Sequence, residues 1–207
     1  MVAVREPTLT LVPIRELRPT QITVGLREVE IMRKRWRARS RERNAAFLGR
    51  HMVPVVLGPK KRHYIIDHHH LCRALFEEGQ DDVLVTVMAK LAGLDRDEFW
   101  FVLDNQGWMH PFDESGKRRT HGDLPKSVAT LRDDPFRSLA GELRRIGGFA
   151  KNTSPFSEFL WAQFLRKRID VKHVTKDFGR ALKIALQLAK SPDAEYLPGW
   201  CGPVSDE

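Results

Sequence analysis

The alternation of apolar and polar positions is clearest in the middle of the chain. Residues 53–58 and 64–66 are short, mostly β-branched apolar runs separated by the polar segment 59–63, so they predict two strands joined by a loop. From Asp67 onward the apolar positions follow a helical period, and Gly79 supplies a C-terminal stop. The stretch therefore predicts a strand, a polar turn and a helix.

The same patterns predict elements along the rest of the chain. They are a strand over 8–14, a helix over about 25–48, a strand over 82–89, and helices over 93–107, 136–147, 157–168 and 174–190. This order predicts an α+β protein, with a small mixed β-sheet and helices in residues 8–92 and a mainly helical portion, 93–207, packed on it. Segment 108–119 mixes aromatic, basic and acidic residues with a histidine, which fits either a packed surface loop or a pocket wall.

The predicted turn carries an aspartate followed by three histidines, Asp67 to His70. Free backbone N–H groups in the first turn of a helix attract anions, so a phosphate-bearing ligand is the first hypothesis for this turn. The imidazoles could donate hydrogen bonds to phosphate, act as general acid or base, or only hydrogen-bond the turn itself. A metal site is a further alternative, although adjacent side chains diverge, so at most two of the three histidines could reach one ion.

Composition and charge add a second candidate surface. The net charge is +8, and residues 1–62 hold 15 Lys and Arg against 5 Asp and Glu, so all of the excess lies in the N-terminal third. Such density favours contact with nucleic acid or polyphosphate, although a solvated helix is the other interpretation, because arginines at every second position fan around a helix. The candidate nucleic-acid-binding residues are Arg33, Lys34, Arg35, Arg37, Arg39 and Arg41.

A family resemblance rests on the same turn. A strand, the run Asp-His-His-His-Leu at 67–71 and a helix with small residues resemble the phosphate-binding signature of the ParB and sulfiredoxin superfamily. Residues 12–21 look like the strand and loop with which its members open, so the resemblance covers roughly residues 8–92. The triple histidine looks most like the subgroup called putative ParB-like nucleases, whose longer C-terminal half is similar to this chain at 98–100 and 133–138. The resemblance implies a ParB/sulfiredoxin-like fold.

The chain departs from the superfamily pattern at three positions. His68 stands where the signature has glycine, and Leu71 stands where it has a phosphate-binding arginine. Arg73 is the nearest replacement, although two residues along a helix turn its side chain about 200° away. Kinase-like relatives carry a glutamate in the early loop where this chain has Gln21.

The resemblance implies a phosphate- or nucleotide-binding protein that acts as a nuclease or a nucleotide-dependent phosphotransferase. The implied catalytic residues are Asp67, His69 and His70. The implied phosphate-binding residues are His68, His69, His70 and Arg73. The alternatives are a metal-dependent variant of this chemistry and a non-catalytic, DNA-binding, partition-type module that uses the arginine-rich helix.

These interpretations set the expected ligands and location. The expected cofactor is a nucleotide (ATP, ADP or CTP) with Mg, and the expected partner is the phosphate of a nucleotide or a nucleic acid. No apolar run approaches the roughly 18 residues of a membrane span, and the N-terminus lacks the apolar region of a signal peptide. We therefore expect a cytoplasmic protein without membrane contact.

Overall fold

The structure, a computed structural model, describes residues 9–203, apart from the side chains of residues 9, 41–43 and 45. Within these residues the strands are β1 (Leu9–Pro13), β2 (Arg18–Pro19), β3 (Thr23–Val24), β4 (Val53–Gly58), β5 (Arg62–Ile65), β6 (Asp82–Lys90) and β7 (Arg132–Asp133). The α-helices are α1 (Leu26–Arg37), α2 (Arg41–Arg50), α3 (His69–Glu77), α4 (Arg96–Asn105), α5 (Pro135–Arg145), α6 (Ser157–Arg166), α7 (Val171–Lys176) and α8 (Phe178–Ala189). None of these helices is both long and apolar enough to cross a bilayer.

Five strands form one mixed sheet in the order β1-β6-β4-β5-β2. The β1–β6 and β4–β5 pairs are antiparallel, whereas β4–β6 and β2–β5 are parallel. A short 3₁₀ turn at Pro59–Lys61 joins β4 to β5, as the polar loop predicts. Strand β3 pairs in parallel with β7, which lies more than 100 residues later in the chain. The predicted α+β fold class is confirmed.

Three apolar clusters hold these elements together. The first packs the sheet against α1 and α3, and it includes Val128 and Leu131 from beyond residue 92. The second surrounds Trp161 among the C-terminal helices. The third joins Tyr64 of the sheet to Phe99 of α4, with ring centroids 4.6 Å apart. Two of the three clusters therefore contain residues from both predicted units, and the division at residue 92 stays a prediction.

The single helix predicted over about 25–48 is wrong, because the chain breaks into α1 and α2. The backbone leaves the helix after Arg37 and turns back, so that Phe47 meets Trp36 edge to face at 6.3 Å. Asn44 Nδ2 also donates to the Trp36 carbonyl. No glycine or proline marks this break, which is favoured by tertiary packing between the two helices.

The helix predicted over 174–190 is likewise divided, into α7 and α8. Asp177 leaves the helical region (φ −140°, ψ 72°), and its side chain accepts a hydrogen bond from the Arg180 N–H. Aspartate competes with helix continuation by capping the next helix, which gives the break a local cause. Asp95 caps the start of α4, and Asp134 caps the start of α5 with Pro135 in its first turn.

Candidate functional site

The histidine turn connects the end of β5 to the start of α3. His68 precedes the helix in the left-handed conformation (φ 66°, ψ 24°), and its N–H donates to the Asp67 side chain at 2.6 Å. This region of φ and ψ costs most residues about 1–2 kcal/mol but suits glycine. The turn conformation thus explains why a glycine would fit at the position that His68 occupies here.

His69 and His70 fasten the turn to the segment between β2 and α1. The backbone N–H of Thr20 donates to His69 Nε2 at 3.1 Å, and the N–H of Gly25 donates to His70 Nε2 at 2.9 Å. Both Nε2 atoms are therefore acceptors, so each neutral ring carries its proton on Nδ1. These contacts hold the early loop against α3.

Burial keeps both rings uncharged. Burial, followed by the nearby His68 and His110, lowers the pKa of His69 to about 3. Burial, followed by the Arg137 charge, lowers the pKa of His70 well below its ordinary value. Glu28 Oε2 lies 3.3 Å from His70 Nε2, but that nitrogen already accepts the Gly25 N–H, so the contact is not an ion pair.

The turn lines an open cavity of about 670 Å³, whose wall is completed by residues of α1, α2, α3 and α5 and by segment 151–159 at the start of α6. Its size lies within the range of small-molecule and cofactor sites. The cationic side chains in its wall are Arg35, Arg39, Arg137, Arg144 and Lys151, and the carboxylates are Glu28, Asp67 and Glu158. Positive charge therefore exceeds negative charge in the wall, even with neutral histidines.

Arg137 lies at the centre of the charged wall. Its Nη1 is 3.3 Å from Glu28 Oε2, and its Nη2 is 3.9 Å from Glu158. Arg144 approaches the other oxygen of Glu158 at 2.7 Å. The Arg137 Nε atom is buried without a hydrogen-bond partner among the described residues, and so is Nδ1 of His68. Two nitrogen atoms of residues in the cavity wall are thus unsatisfied.

Comparison with known proteins identifies the family. Residues 10–167 match the family described as "Putative ParB-like nuclease". The chain belongs to this family. A crystal structure of protein Atu1540 from Agrobacterium tumefaciens is similar to this ParB-like chain, with 53% identity and a TM-score of 0.88 over 95% of this chain and 99% of that one. A search of curated proteins finds no match.

This chain has no cation at the position of the signature arginine. Leu71, which replaces the signature arginine, is a buried apolar side chain of the cavity wall. Arg73 points away from the cavity, where its guanidinium donates to the carbonyls of Ala129 and Leu131 and pairs with Glu77. Arg73 thus anchors the 3₁₀ turn after residue 127, and α5 supplies cations to the cavity instead.

The basic residues of the arginine-rich segment lie in different places. Arg33 pairs with Glu77 and Glu78 at 2.8 and 2.7 Å, and Arg37 pairs with Glu78 at 3.0 Å, so both are held on the outside of α1 and α3. Lys34 is exposed outside the cavity. Arg35 and Arg39 line the cavity, and the side chain of Arg41 lies outside the described part of the structure.

Several residues of the cavity wall were not predicted from the sequence to belong to a site. The charged cavity residues not assigned from the sequence are Glu28, Arg137, Arg144, Lys151 and Glu158. Arg137 falls within the family-like run 133–138, which was the only signal that pointed to it. His110, from the ambiguous loop, packs against Phe159 with ring centroids 3.9 Å apart and the rings tilted by 32°, and burial lowers its pKa to about 3.

The carboxylates and histidines do not converge as a metal site. In the part of the chain that the structure describes, no group of three or more His, Cys, Asp or Glu side chains is placed to hold an ion. The Nε2 atoms of His69 and His70 already accept backbone N–H groups, so neither is free to bind a metal ion.

Proposed function

We propose that the cavity binds the phosphate groups of a nucleotide or a nucleic acid, and that the protein acts there as a nuclease or phosphotransferase. One observation carries the proposal: the N-terminus of α3 lines the same cavity as five cationic side chains, which come from α1, the α1–α2 loop, α5 and the segment before α6. Free N–H groups and cationic side chains in a concave site favour an anion.

The unsatisfied nitrogen atoms support an anionic ligand at the same place. A buried polar atom without a partner costs about 1–3 kcal/mol, and a phosphate oxygen would relieve this cost by accepting from Arg137 Nε, and from His68 Nδ1 in the tautomer that carries its proton there. Glu158 already places an anionic group between Arg137 and Arg144. Its carboxylate occupies a position that a phosphate oxygen could take.

The proposed roles within the turn differ from residue to residue. His69 and His70 would have to give up the Thr20 and Gly25 N–H groups before either Nε2 could take a proton. We therefore assign them to positioning, and we assign the proton-transfer role to the exposed carboxylate of Asp67. His68 contributes its ring to phosphate binding.

Calorimetry with a nucleotide panel tests the proposal. ATP, ADP, CTP and a short oligonucleotide would be titrated with and without magnesium into wild type, Arg35→Ala and the matched control Lys34→Ala. Both variants remove one exposed cation from α1, but only Arg35 lines the cavity. We expect a larger loss of affinity in Arg35→Ala, about fivefold for one charge pair near 4 Å in water. Equal losses in both variants, or no binding to wild type, would contradict the proposal.

His68→Gly tests the turn more cleanly than a change at His69. Glycine adopts the left-handed conformation without strain, so the variant removes the ring and keeps the turn. His69→Ala would instead leave the buried Thr20 N–H without its acceptor and destabilise the fold. We expect His68→Gly to fold normally and bind the same ligand more weakly.

The alternative DNA-binding module has less support from the geometry. Two of its arginines, Arg33 and Arg37, are already paired with glutamates on the outer surface. The same calorimetric comparison decides between the two functions. Binding of DNA that is weakened by Lys34→Ala and unaffected by Arg35→Ala would favour the module.

A further inference from the structure

The cavity wall carries aromatic side chains beside its cations. They come from two parts of the chain: Trp36, Phe47 and His51 from the α1–α2 pair, and Phe156 and Phe159 from the start of α6. Trp36 and Phe47 are only partly buried against the core beneath them, so they also face the cavity. Phosphate binding alone does not require aromatic rings.

The rings of the α1–α2 wall form an ordered stack. The Arg39 guanidinium lies 4.2 Å from the centre of the Phe47 ring, and the His51 ring stacks on Phe47 at 3.9 Å, 21° from parallel. One ring face holds one such group, so Arg39 and His51 cover opposite faces of Phe47. The outer faces of Arg39 and His51 are the planar surfaces that this stack offers to a ligand.

The second aromatic wall includes a strained residue. Phe156 adopts the left-handed conformation (φ 57°, ψ 25°) immediately before α6, with its ring 4.9 Å from His110. Such conformations cost about 1–3 kcal/mol and cluster at ligand-binding sites. Phe159 of the same wall lies beneath the Arg137 guanidinium at 5.3 Å.

From this arrangement we infer that the ligand is single-stranded nucleic acid, with its bases stacked on the aromatic and guanidinium surfaces of the cavity. The inference rests on the proposed function, since the same cations hold the phosphates. Proteins that bind single strands combine a basic groove with aromatic side chains, because every base has a stacking face. In a duplex the bases stack on each other and cannot reach recessed rings without being flipped out.

The ion pairs on the outer surface of α1 also favour a single strand over a duplex. A duplex is bound mainly through cations that reach its backbone from outside. Here Arg33 and Arg37 are neutralised by Glu30, Glu77 and Glu78, and Arg39 and Arg35 are turned toward the cavity. The segment that looks like a duplex-binding helix in the sequence therefore directs much of its free charge into the cavity.

Fluorescence anisotropy with three probes tests the inference. They are a single-stranded oligonucleotide of about ten nucleotides, an abasic strand of the same length and charge, and the blunt duplex of the same sequence, all at one salt concentration. We expect wild type to bind the base-bearing single strand roughly 5- to 140-fold more tightly than the abasic strand, and also more tightly than the duplex.

Two variants locate the stacking surface. Trp36→Leu and His51→Ala should weaken binding of the base-bearing strand and leave the abasic strand unaffected. Phe101→Leu is the control, because Phe101 is 69% exposed on α4, outside the cavity. If Trp36→Leu fails to fold, the stacking inference is still tested by His51→Ala, because His51 is exposed, and by the comparison of base-bearing and abasic strands with wild type.

Each outcome has a distinct meaning. Equal affinity for base-bearing and abasic strands overturns the stacking inference and leaves phosphate binding in place. Tighter binding of the duplex overturns the choice of a single strand. Failure of every probe to bind wild type overturns both this inference and the proposed function.

Discussion

The three histidines of the turn have different surroundings, although they are adjacent in the sequence. His68 takes the left-handed position and faces the cavity with an unpaired nitrogen. His69 and His70 each accept a backbone N–H from the early loop. From the sequence all three were candidates for phosphate binding, and His69 and His70 were also candidates for catalysis. Their different surroundings were not predictable, because the direction of a side chain at a turn depends on backbone dihedrals that composition does not specify.

Buried neutral histidines should make stability depend on pH. His69 and His110 have a pKa near 3 in the folded protein, whereas in the unfolded chain they bind a proton below about pH 6.5. The unfolded state therefore gains protons first as the pH falls. The neutral histidines therefore contribute fully to the free energy of unfolding above about pH 6.5, and this contribution is lost progressively toward about pH 3. The free energy of unfolding should fall by about 2 kcal/mol per histidine between about pH 7 and pH 5.

Urea unfolding across this pH range measures the effect. His69→Gln can still accept the Thr20 N–H but cannot be protonated, so its free energy of unfolding should fall less steeply with decreasing pH. His173 is exposed on α7, and His173→Gln should keep the wild-type slope. If the free energy of unfolding of His69→Gln fell with pH as steeply as that of wild type, the result would contradict a neutral, buried His69.

Glu158 should compete with the ligand for the α5 arginines. Its carboxylate lies between Arg144 at 2.7 Å and Arg137 at 3.9 Å. Glu158→Gln removes this negative charge, so we expect nucleotide affinity to rise by about fivefold, the effect of one charge near 4 Å in water. Glu142, which pairs with Arg145 outside the cavity, gives the control Glu142→Gln. Unchanged or weaker binding in Glu158→Gln would show that Glu158 does not occupy a ligand position.

At the scale of elements, the site depends on the close approach of α1 and α5. A Cβ on Gly25 would lie 2.6 Å from Ser138 Oγ and 2.9 Å from the Ser138 backbone nitrogen. A Cβ on Gly141 would lie 1.6 Å from Oε1 of Glu28. The two glycines let α5 bring Arg137 to the α1 wall of the cavity, at the place where Glu28 meets it.

These two glycines should respond differently to alanine. Gly25→Ala clashes with backbone atoms, so it should separate the helices and destabilise the fold by about 1–3 kcal/mol. Gly141→Ala meets the flexible end of Glu28, and alanine favours the helix by up to about 1 kcal/mol, so we expect little net loss of stability. Urea unfolding measures both, and a larger loss in Gly141→Ala would contradict this packing.

Elements that are marked by local sequence could be predicted, whereas elements that depend on tertiary contacts could not. The starts of α4 and α5 carry a local signal, because Asp95 and Asp134 cap them with their own side chains. The break between α1 and α2 was not predictable, because Phe47 and Trp36 meet only after the chain has turned. Strand β7 was missed for the same reason: two residues, both exposed, become a strand by pairing with β3.

At the scale of the whole molecule, the cavity belongs to both halves of the chain. The turn at 67–70 was predictable from its motif, which lies in one continuous run. Arg137, Arg144 and Glu158 were not, because an arginine or glutamate on a helix has no sequence mark that distinguishes the cavity from solvent. The family match extends to residue 167, and it therefore includes the helices that supply these charges.

The shared clusters predict that residues 9–92 do not fold alone. Such a fragment loses Val128 and Leu131 from the first apolar cluster and Phe99 from the third. It should show reduced helical circular dichroism and no cooperative thermal transition, whereas the full chain should unfold cooperatively. A fragment with a sharp transition and dispersed amide signals by nuclear magnetic resonance would show that the N-terminal unit is independent.

A crystal structure of the protein soaked with a nucleoside monophosphate is the direct test of phosphate binding in the cavity. We expect electron density for the phosphate inside the cavity, within hydrogen-bonding distance of the His68 ring, Arg137 or Arg144. Density for the nucleotide only on the outer face of α1, beside Lys34 and away from the cavity, would contradict this expectation.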